Sequence, residues 1–149
     1  EKAEIAKANG CTHTIVTSRE NIAQRVRELT GGQGVKVVYD SVGKDTLMAS
    51  LDSLQPRGHL ISNGTSSGAV VVDSQLLAQK GSLWMTRPAM IHYIHPRAHM
   101  LEMARELFDH VLAGRITSEP RQTFALANAA EAHRALEGRK TTGATVLVP

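Results

Sequence analysis

Helical and strand-like segments alternate along most of the chain, and this alternation is the feature that most constrains the fold. Residues 22–29 place apolar side chains at helical spacing, whereas residues 35–39 form a nearly apolar run that is typical of a strand covered on both faces. Residues 44–54 return to a helical period, and residues 59–62 and 82–86 have the pattern of further strands. Such alternation predicts βαβ units and a parallel sheet flanked by helices, so the fold class is α/β.

The N-terminal segment extends the same pattern. A helix is predicted to end at Asn9 and Gly10, and residues 13–16 form a β-prone run that predicts a short strand. The residues TSRE at 17–20 fit a capping box in front of the helix over 22–29.

The C-terminal part of the chain has a different organisation. Pro96 suits the first residue of a long amphipathic helix that ends at Gly114. An extended piece ending at Leu126, a helix around residues 129–136 and a strand over 144–148 follow. We therefore predict a division near residues 114–120, with one domain over 1–114 and a tail over 115–149.

Composition excludes several classes of protein. The 149 residues are 42% hydrophobic, which is enough for a buried core, but no apolar run approaches the ~20 residues that a membrane span needs. The single Cys11 excludes a disulfide framework and a cysteine-based zinc cluster within the chain. A net charge of +3 is too small and too scattered to indicate nucleic-acid binding. We expect a soluble, cytoplasmic protein.

Two glycine clusters resemble known motifs. Residues 31–34 (GGQG) follow a helix and precede a strand, so they indicate a turn rather than a phosphate-binding loop, which needs the opposite order. Residues 64–68 (GTSSG) match the G-x-S-x-G pattern of hydrolases, but the following AVVV is a poor start for the helix that a nucleophile elbow requires. A hydrolase with Ser66 as nucleophile is therefore a distant alternative.

The remaining chemically versatile side chains have simpler interpretations. His92, His95 and His99 could share a metal only if a helix began early enough, and no carboxylate lies at a matching spacing. We interpret them as solvated or capping residues, predict no metal site, and interpret Cys11 as a packing residue.

The carboxyl ends of the predicted strands carry the stronger signal. Ligands of open α/β sheets bind at these ends, and here the strands are followed by the small polar loops 40–43, 62–66 and 87–90. Small residues allow close approach of a ligand to the backbone. Such loops also occur in α/β sheets that bind nothing, so the pattern by itself leaves nucleotide binding open.

Four ordered segments resemble one family. VVYDSVGKDT, RGHLISNGTSSG, LAQKGSLWMTRP and AEAHRALEGRKTTGATVLVP resemble the NADPH-dependent quinone oxidoreductases, the zinc-free branch of the medium-chain dehydrogenase/reductase superfamily. The resemblance covers essentially the whole chain. It implies a C-terminal fragment, formed by a partial Rossmann doubly wound parallel sheet that lacks its first two strands, with a strand-helix-strand tail that packs on a catalytic domain.

The resemblance also implies a set of cofactor-binding residues. Lys2 would contact the 2′-phosphate that distinguishes NADPH from NADH, and Arg139 would reach back to the cofactor. Thr17 stands where many relatives carry Tyr, and Asn63 where they often carry Phe, so stacking surface is reduced. The complete implied set is Lys2, Thr17, Val42, Gly43, Asn63, Gly64, Thr65, Ser66, Pro88, Ala89, Met90 and Arg139.

The implied reaction is hydride transfer from NADPH to a quinone or similar electron-poor acceptor. No catalytic residue is implied within this chain, so we expect the isolated chain to be inactive. The resemblance further implies a homodimer formed through the strand at 82–86. The alternative from another class is a non-catalytic, sheet-forming oligomerisation module.

Overall fold

The computed structural model describes residues 1–117 and 120–149. Their contacts divide into two compact units, one of Glu1 with Ala3–Tyr93 and one of Lys2 with Ile94–Pro149. The predicted division at 114–120 includes residues 118 and 119, which lie outside the described residues, and it stays a prediction.

The elements follow the predicted alternation. Up to residue 93 they are α1 (Lys2–Ala8), α2 (Ile22–Leu29), β1 (Val35–Asp40), α3 (Leu47–Ser53), β2 (Leu54–Ser62), α4 (Ser74–Gln79), β3 (Trp84–Thr86) and α5 (Met90–Tyr93). The remaining elements are α6 (Arg97–Leu112), β4 (Gln122–Ala125), a 3-10 turn (Leu126–Asn128), α7 (Ala129–Glu137) and β5 (Thr145–Val148). No helix of the described chain combines the length and apolarity that crossing a membrane requires.

The first unit is built on a parallel sheet, as predicted. Its strands lie in the order β1-β2-β3, and both neighbouring pairs are parallel. The register places Val37 beside His59 and His59 beside Trp84. Because parallel strands need crossover connections, α3 and α4 lie between successive strands, and the α/β prediction is confirmed.

The core of the first unit lies under one face of this sheet. Four leucines are buried there, Leu51, Leu54, Leu60 and Leu83, and α3 contacts both β1 and β2. Side chains on the opposite face are exposed, with Tyr39 at 75% and Trp84 at 65%. The expectation that β1 is covered on both faces is therefore wrong for the described chain, because its side chains alternate between a packed and an exposed face.

Residues 31–34 form the predicted turn. The guanidinium of Arg27 donates to the carbonyls of Gly32 and Gln33 at 3.0 and 2.9 Å, and also to those of Asp52 and Leu54. One arginine thus ties the end of α2 to the junction of α3 and β2. A Cβ on Gly34 would lie 2.7 Å from the Ser53 carbonyl oxygen, which explains why glycine stands at this close approach.

Two predictions for the N-terminal segment are wrong. Residues 13–16 form no strand, because no ladder partner lies beside them among the described residues. The capping box at 17–20 does not begin α2. The N-cap is Asn21, whose side chain accepts a hydrogen bond from the Gln24 amide at 3.0 Å. The Glu20 carboxylate instead accepts from the Val16 amide.

The predicted helix over 44–54 is shorter in the structure. It begins at Leu47, and Leu54 is already the first residue of β2. The chain passes into the strand through an irregularity in which the register shifts between Val35 and Val37 and Arg57 adopts a φ of 62°. Helical spacing of leucines does not reveal such a transition, because a buried strand also places leucines inward.

The second unit contains the predicted long helix and strand-helix-strand tail. Pro96 precedes α6 at its N-cap, and β4 and β5 pair in parallel with α7 between them in sequence. Ala132 of α7 is buried.

Buried serines of the first unit generate a stability prediction. Ser62 is 1% exposed, and its Oγ has no hydrogen-bond partner among the described residues. Because an unpaired buried hydroxyl is destabilising, we expect Ser62→Ala to raise the free energy of unfolding by about 1 kcal/mol in urea denaturation.

The matched control is Ser53→Ala, since Ser53 is also buried but its Oγ donates to the Ala49 carbonyl at 2.7 Å. Ser53→Ala should bring no such gain. An equal loss of stability in both variants would contradict the assignment of Ser62 as unpaired.

Candidate functional site

Three loops meet at the carboxyl edge of the three-stranded sheet. Residues 41–43 follow β1, residues 63–66 follow β2, and residues 88–90 follow β3. Parallel pairing puts all three strand ends on the same edge. Nine of the predicted residues therefore belong to one edge of the first unit: Val42, Gly43, Asn63, Gly64, Thr65, Ser66, Pro88, Ala89 and Met90.

Asp40, the last residue of β1, organises the first loop. Asp40 is 6% exposed, and its carboxylate accepts hydrogen bonds from the amides of Val42 and Gly43, both at 2.9 Å. The second carboxylate oxygen accepts from Ser50 Oγ at 2.7 Å and from Thr46 Oγ1 at 2.8 Å. The buried charge is thus satisfied by the loop on one side and by α3 with its N-cap residue on the other.

These hydrogen bonds set the ionisation of Asp40. Burial by itself raises the pKa of this carboxyl, but donation from Ser50, Gly43, Thr46 and Val42 outweighs burial and holds the pKa below its ordinary value of 3.8. Asp40 is therefore a carboxylate at neutral pH.

The second loop is held against the first by backbone hydrogen bonds. The amides of Asn63 and Gly64 donate to the Asp40 carbonyl at 2.9 and 3.2 Å. Ser67 donates to the Val42 carbonyl from its amide and from its Oγ, each at 2.9 Å. The loops after β1 and β2 consequently form a single hydrogen-bonded cluster.

Two glycines make this close approach possible. A Cβ on Gly64 would lie 2.0 Å from the Ser41 carbonyl oxygen, and one on Gly43 would lie 2.8 Å from the Gly68 carbonyl oxygen. Gly43 also has a φ of 100°, which side-chain-bearing residues rarely adopt. The loops therefore touch backbone to backbone, and what they offer to a ligand is small side chains and peptide groups.

The third loop is joined to the edge by Arg87. Its Nη1 donates to the Ser62 carbonyl at 3.3 Å, at the end of β2. Pro88 is half-buried, Ala89 is exposed, and Met90 begins α5 with 74% of its surface exposed. This loop adds an apolar surface to an edge that is otherwise polar.

The other predicted residues lie away from the edge loops in sequence. Thr17 occupies an exposed turn before α2. Lys2 groups by its contacts with the second unit, where its Nζ donates to the Arg139 carbonyl at 2.8 Å. The Lys2 side chain is therefore in contact with the backbone of Arg139.

The hydrolase alternative lacks its essential element. Residues 66–73 form turns and irregular backbone, and the next helix begins only at Ser74, so no helix stands directly behind Ser66. The Ser66 Oγ lies 3.5 Å from the Ser41 carbonyl oxygen, and a backbone carbonyl is no general base.

Metal ligation finds no support in the described residues. Within 1–117 and 120–149, His, Cys, Asp and Glu form no group of three that could hold a metal ion. His92 lies in α5 and His99 in α6, in different elements on either side of Pro96. The described side chains do not fit a bound zinc ion, and no chemical step is assigned to one.

Sequence reasoning missed the roles of Asp40 and Ser67. The Asp40 side chain accepts from the amides two and three residues further on, which is an Asx-type turn. An Asp at a strand end is the sequence signal that could have indicated it. No local pattern could have paired Ser67 with Val42, because the two residues lie 25 positions apart.

The chain is similar to known proteins over nearly its whole length. Residues 9–147 match the zinc-binding dehydrogenase family. The chain is 51% identical over 150 residues to the quinone oxidoreductase of Pseudomonas aeruginosa, and 49% identical over 153 residues to a 2-haloacrylate reductase of Burkholderia sp. Each match covers 100% of this chain. It covers 46% of the length of the quinone oxidoreductase and 45% of the length of the 2-haloacrylate reductase.

The structure is also similar to solved structures. The Escherichia coli quinone oxidoreductase complexed with NADPH superimposes with a TM-score of 0.93 at 43% identity, covering 99% of this chain and 46% of that one. The chain thus spans about half the length of the relatives it matches and corresponds to their C-terminal part. These neighbours have a Rossmann-type fold, which confirms the predicted fold class.

The Asp40 cluster generates a pH prediction. Since the folded pKa of Asp40 is lowered, its contribution to stability is present above the unfolded value of 3.8 and is lost as pH falls through the folded pKa. We expect the free energy of unfolding to decrease with acidification below about pH 4, measured by urea denaturation at each pH.

Asp40→Asn should flatten this part of the pH profile, since the amide does not titrate. An unchanged slope in Asp40→Asn would show that other carboxyls cause the acid sensitivity.

Proposed function

Because this chain belongs to the zinc-binding dehydrogenase family, we propose that it forms the cofactor-binding part of an NADPH-dependent oxidoreductase. The proposed reaction is hydride transfer from NADPH to a quinone or a similar electron-poor acceptor. The 49% identity to a 2-haloacrylate reductase supports including electron-poor alkenes in the acceptor class.

The observation that carries the proposal is the edge-loop cluster on a fold shared with an NADPH complex. Relatives named quinone oxidoreductase reach 51% identity, and the structure of the NADPH-complexed relative superimposes with a TM-score of 0.93. The fit to the cofactor is supported by the loops themselves, where Gly43 and Gly64 keep side chains out of the edge.

Residues of the three loops would hold NADPH in this proposal. Val42 and Gly43 would lie along the adenine-ribose side, residues 63–66 along the nicotinamide half, and residues 88–90 near the nicotinamide. When bound, NADPH supplies the hydride that reduces the acceptor. The chain's own contribution is orientation, since peptide groups and small side chains position the cofactor without reacting.

Lys2 would recognise the 2′-phosphate of NADPH, and Arg139 would reach back to the cofactor. The Lys2 ammonium lies beside the Arg139 backbone, because its Nζ donates to the Arg139 carbonyl at 2.8 Å. Thr17 would lie beside the adenosine end, with less stacking surface than an aromatic residue.

We assign no catalytic residue within the chain. The chain corresponds to 46% of its relatives, and we propose that the 149 residues alone bind NADPH weakly and do not turn over an acceptor. Turnover of quinone by these residues alone would contradict this part of the proposal. Oligomerisation without any NADPH binding would favour the alternative of a non-catalytic, sheet-forming module.

Cofactor selectivity gives the sharpest mutational prediction. We expect Lys2→Ala to weaken NADPH binding about tenfold and NADH binding less than twofold, because only NADPH carries the 2′-phosphate. Fluorescence titration of the intact protein that carries this chain measures both dissociation constants.

The matched control is Lys7→Ala, since Lys7 lies on the same helix but pairs with Glu4 at 3.4 Å. That variant should leave both affinities unchanged. Equal losses for NADPH and NADH in Lys2→Ala would reject the assigned role of Lys2.

We also propose a cytoplasmic homodimer joined through β3. The strand is the last in the order β1-β2-β3. No other strand of the described residues pairs with its outer edge, so this edge can pair with a second copy of the chain. The exposed Trp84 lies on this strand and stacks with His59 at a centroid distance of 6.0 Å. The unpaired Cys11 is in keeping with a reducing compartment.

Substitution at the two ends of the sheet tests the interface. Trp84→Lys should raise the dimer dissociation constant about tenfold in sedimentation experiments, because a lysine on a pairing strand opposes edge association. Tyr39→Lys, on the exposed side of β1, should leave association intact. Dissociation by Tyr39→Lys alone would assign the interface to the other edge.

A further inference from the structure

Both polar backbone groups of Val42 are held by side chains that the proposed cofactor site does not include. Its amide donates to the Asp40 carboxylate at 2.9 Å, and its carbonyl accepts from the Ser67 Oγ at 2.9 Å. The neighbouring Gly43 amide also donates to Asp40, at 2.9 Å. The first edge loop is thus held by Asp40 on one side and by Ser67 on the other, and these two side chains are called the clasp below.

Ser67 extends the clasp to the chain that leads into α3. Its Oγ accepts from the Asp45 amide at 3.0 Å while donating to Val42, and its own amide donates to the same Val42 carbonyl. The hydroxyl therefore acts as donor and acceptor at once, and an alanine side chain can do neither.

In this arrangement the Asp40 carboxylate is enclosed, and the hydroxyl proton of Ser67 is donated within the chain. Asp40 is 6% exposed, and the donors around its carboxylate are the amides of Val42 and Gly43 and the hydroxyls of Thr46 and Ser50. The Ser67 hydroxyl is occupied by Val42 and Asp45. These contacts let both residues act on a cofactor through the loop that they hold.

We propose that Asp40 and Ser67 are positioning residues that preorganise the loop at Val42 and Gly43 for the cofactor. The inference rests on the proposed function, because it assigns the loop to NADPH. Gly43 has a φ of 100°, and since glycine is conformationally permissive, hydrogen-bond partners are what limit the loop to one conformation. Without the clasp, cofactor binding has to order the loop, which weakens affinity.

This role differs from a purely structural one in what it changes. Substitution of a purely structural residue lowers the free energy of unfolding and leaves the affinity of the folded protein for NADPH unchanged. Substitution of a positioning residue weakens NADPH binding in the folded protein and raises the KM for NADPH, while kcat at saturating NADPH is retained.

The test measures Kd and KM for NADPH, kcat and urea stability in the intact protein that carries this chain. We expect Asp40→Ala to raise Kd and KM about tenfold and Ser67→Ala about threefold, with kcat within about twofold. Ser67→Thr, which keeps the hydroxyl, should restore the wild-type values.

The matched control is Ser53→Ala, because Ser53 is buried in α3 and its hydroxyl donates within the helix, to the Ala49 carbonyl. It should leave Kd unchanged whatever its effect on stability. If Asp40→Ala does not fold, the pair Ser67→Ala and Ser67→Thr decides the question.

The outcomes separate the inference from the proposed function. Wild-type binding of NADPH with unchanged Kd in both clasp variants would overturn the inference and leave the proposed function intact. A shift in Kd that Ser67→Thr does not rescue would also overturn the role of the hydroxyl. Failure of the wild-type protein to bind NADPH would reject the proposed function, and the inference with it.

Discussion

The buried carboxylate of Asp40 is the interaction on which the candidate site depends. Asp40 lies at the end of β1, and its carboxylate accepts from the amides of the following loop and from the hydroxyls of Thr46 and Ser50. The backbone carbonyl of the same residue accepts from two amides of the loop after β2. A buried charge without such donors would be strongly destabilising, so the loop and the start of α3 are ordered together. The sheet supplies the edge, and this carboxylate fixes the shape of what lies there.

The rest of the first unit serves this edge. Leucines from α3, β2 and the residue before β3 form the core beneath the sheet, and Arg27 ties the junction of α3 and β2 to the end of α2 through backbone carbonyls. These contacts hold the strand ends in register, which is what brings loops from distant parts of the sequence to one place. Glycines at 43 and 64 then let the loops touch. The resulting surface of peptide groups and small side chains is suited to a large, polar cofactor.

Much of the fold could be predicted from periodicity, and the failures have physical causes. Strand β1, helix α6 and the strand-helix-strand tail follow from their apolar spacing and flanking Pro and Gly. Residues 13–16 have β propensity, but a strand also needs a neighbour to pair with, which propensity does not encode. Leu54 belongs to a strand although its spacing suits a helix. At the site, strand ends identified the loops, whereas the clasp on Val42 joins residues far apart in sequence and became visible only in three dimensions.

In the proposed function, the edge loops bind NADPH. Amide hydrogen exchange of the intact protein, with and without saturating NADPH, tests it at the level of single residues. Slower exchange at the amides around Val42, Asn63 and Ala89 is the predicted result, because these lie in the three loops at one edge of the sheet. Unchanged exchange in all three loops at a NADPH concentration that saturates binding would contradict the claim and assign the cofactor to another surface.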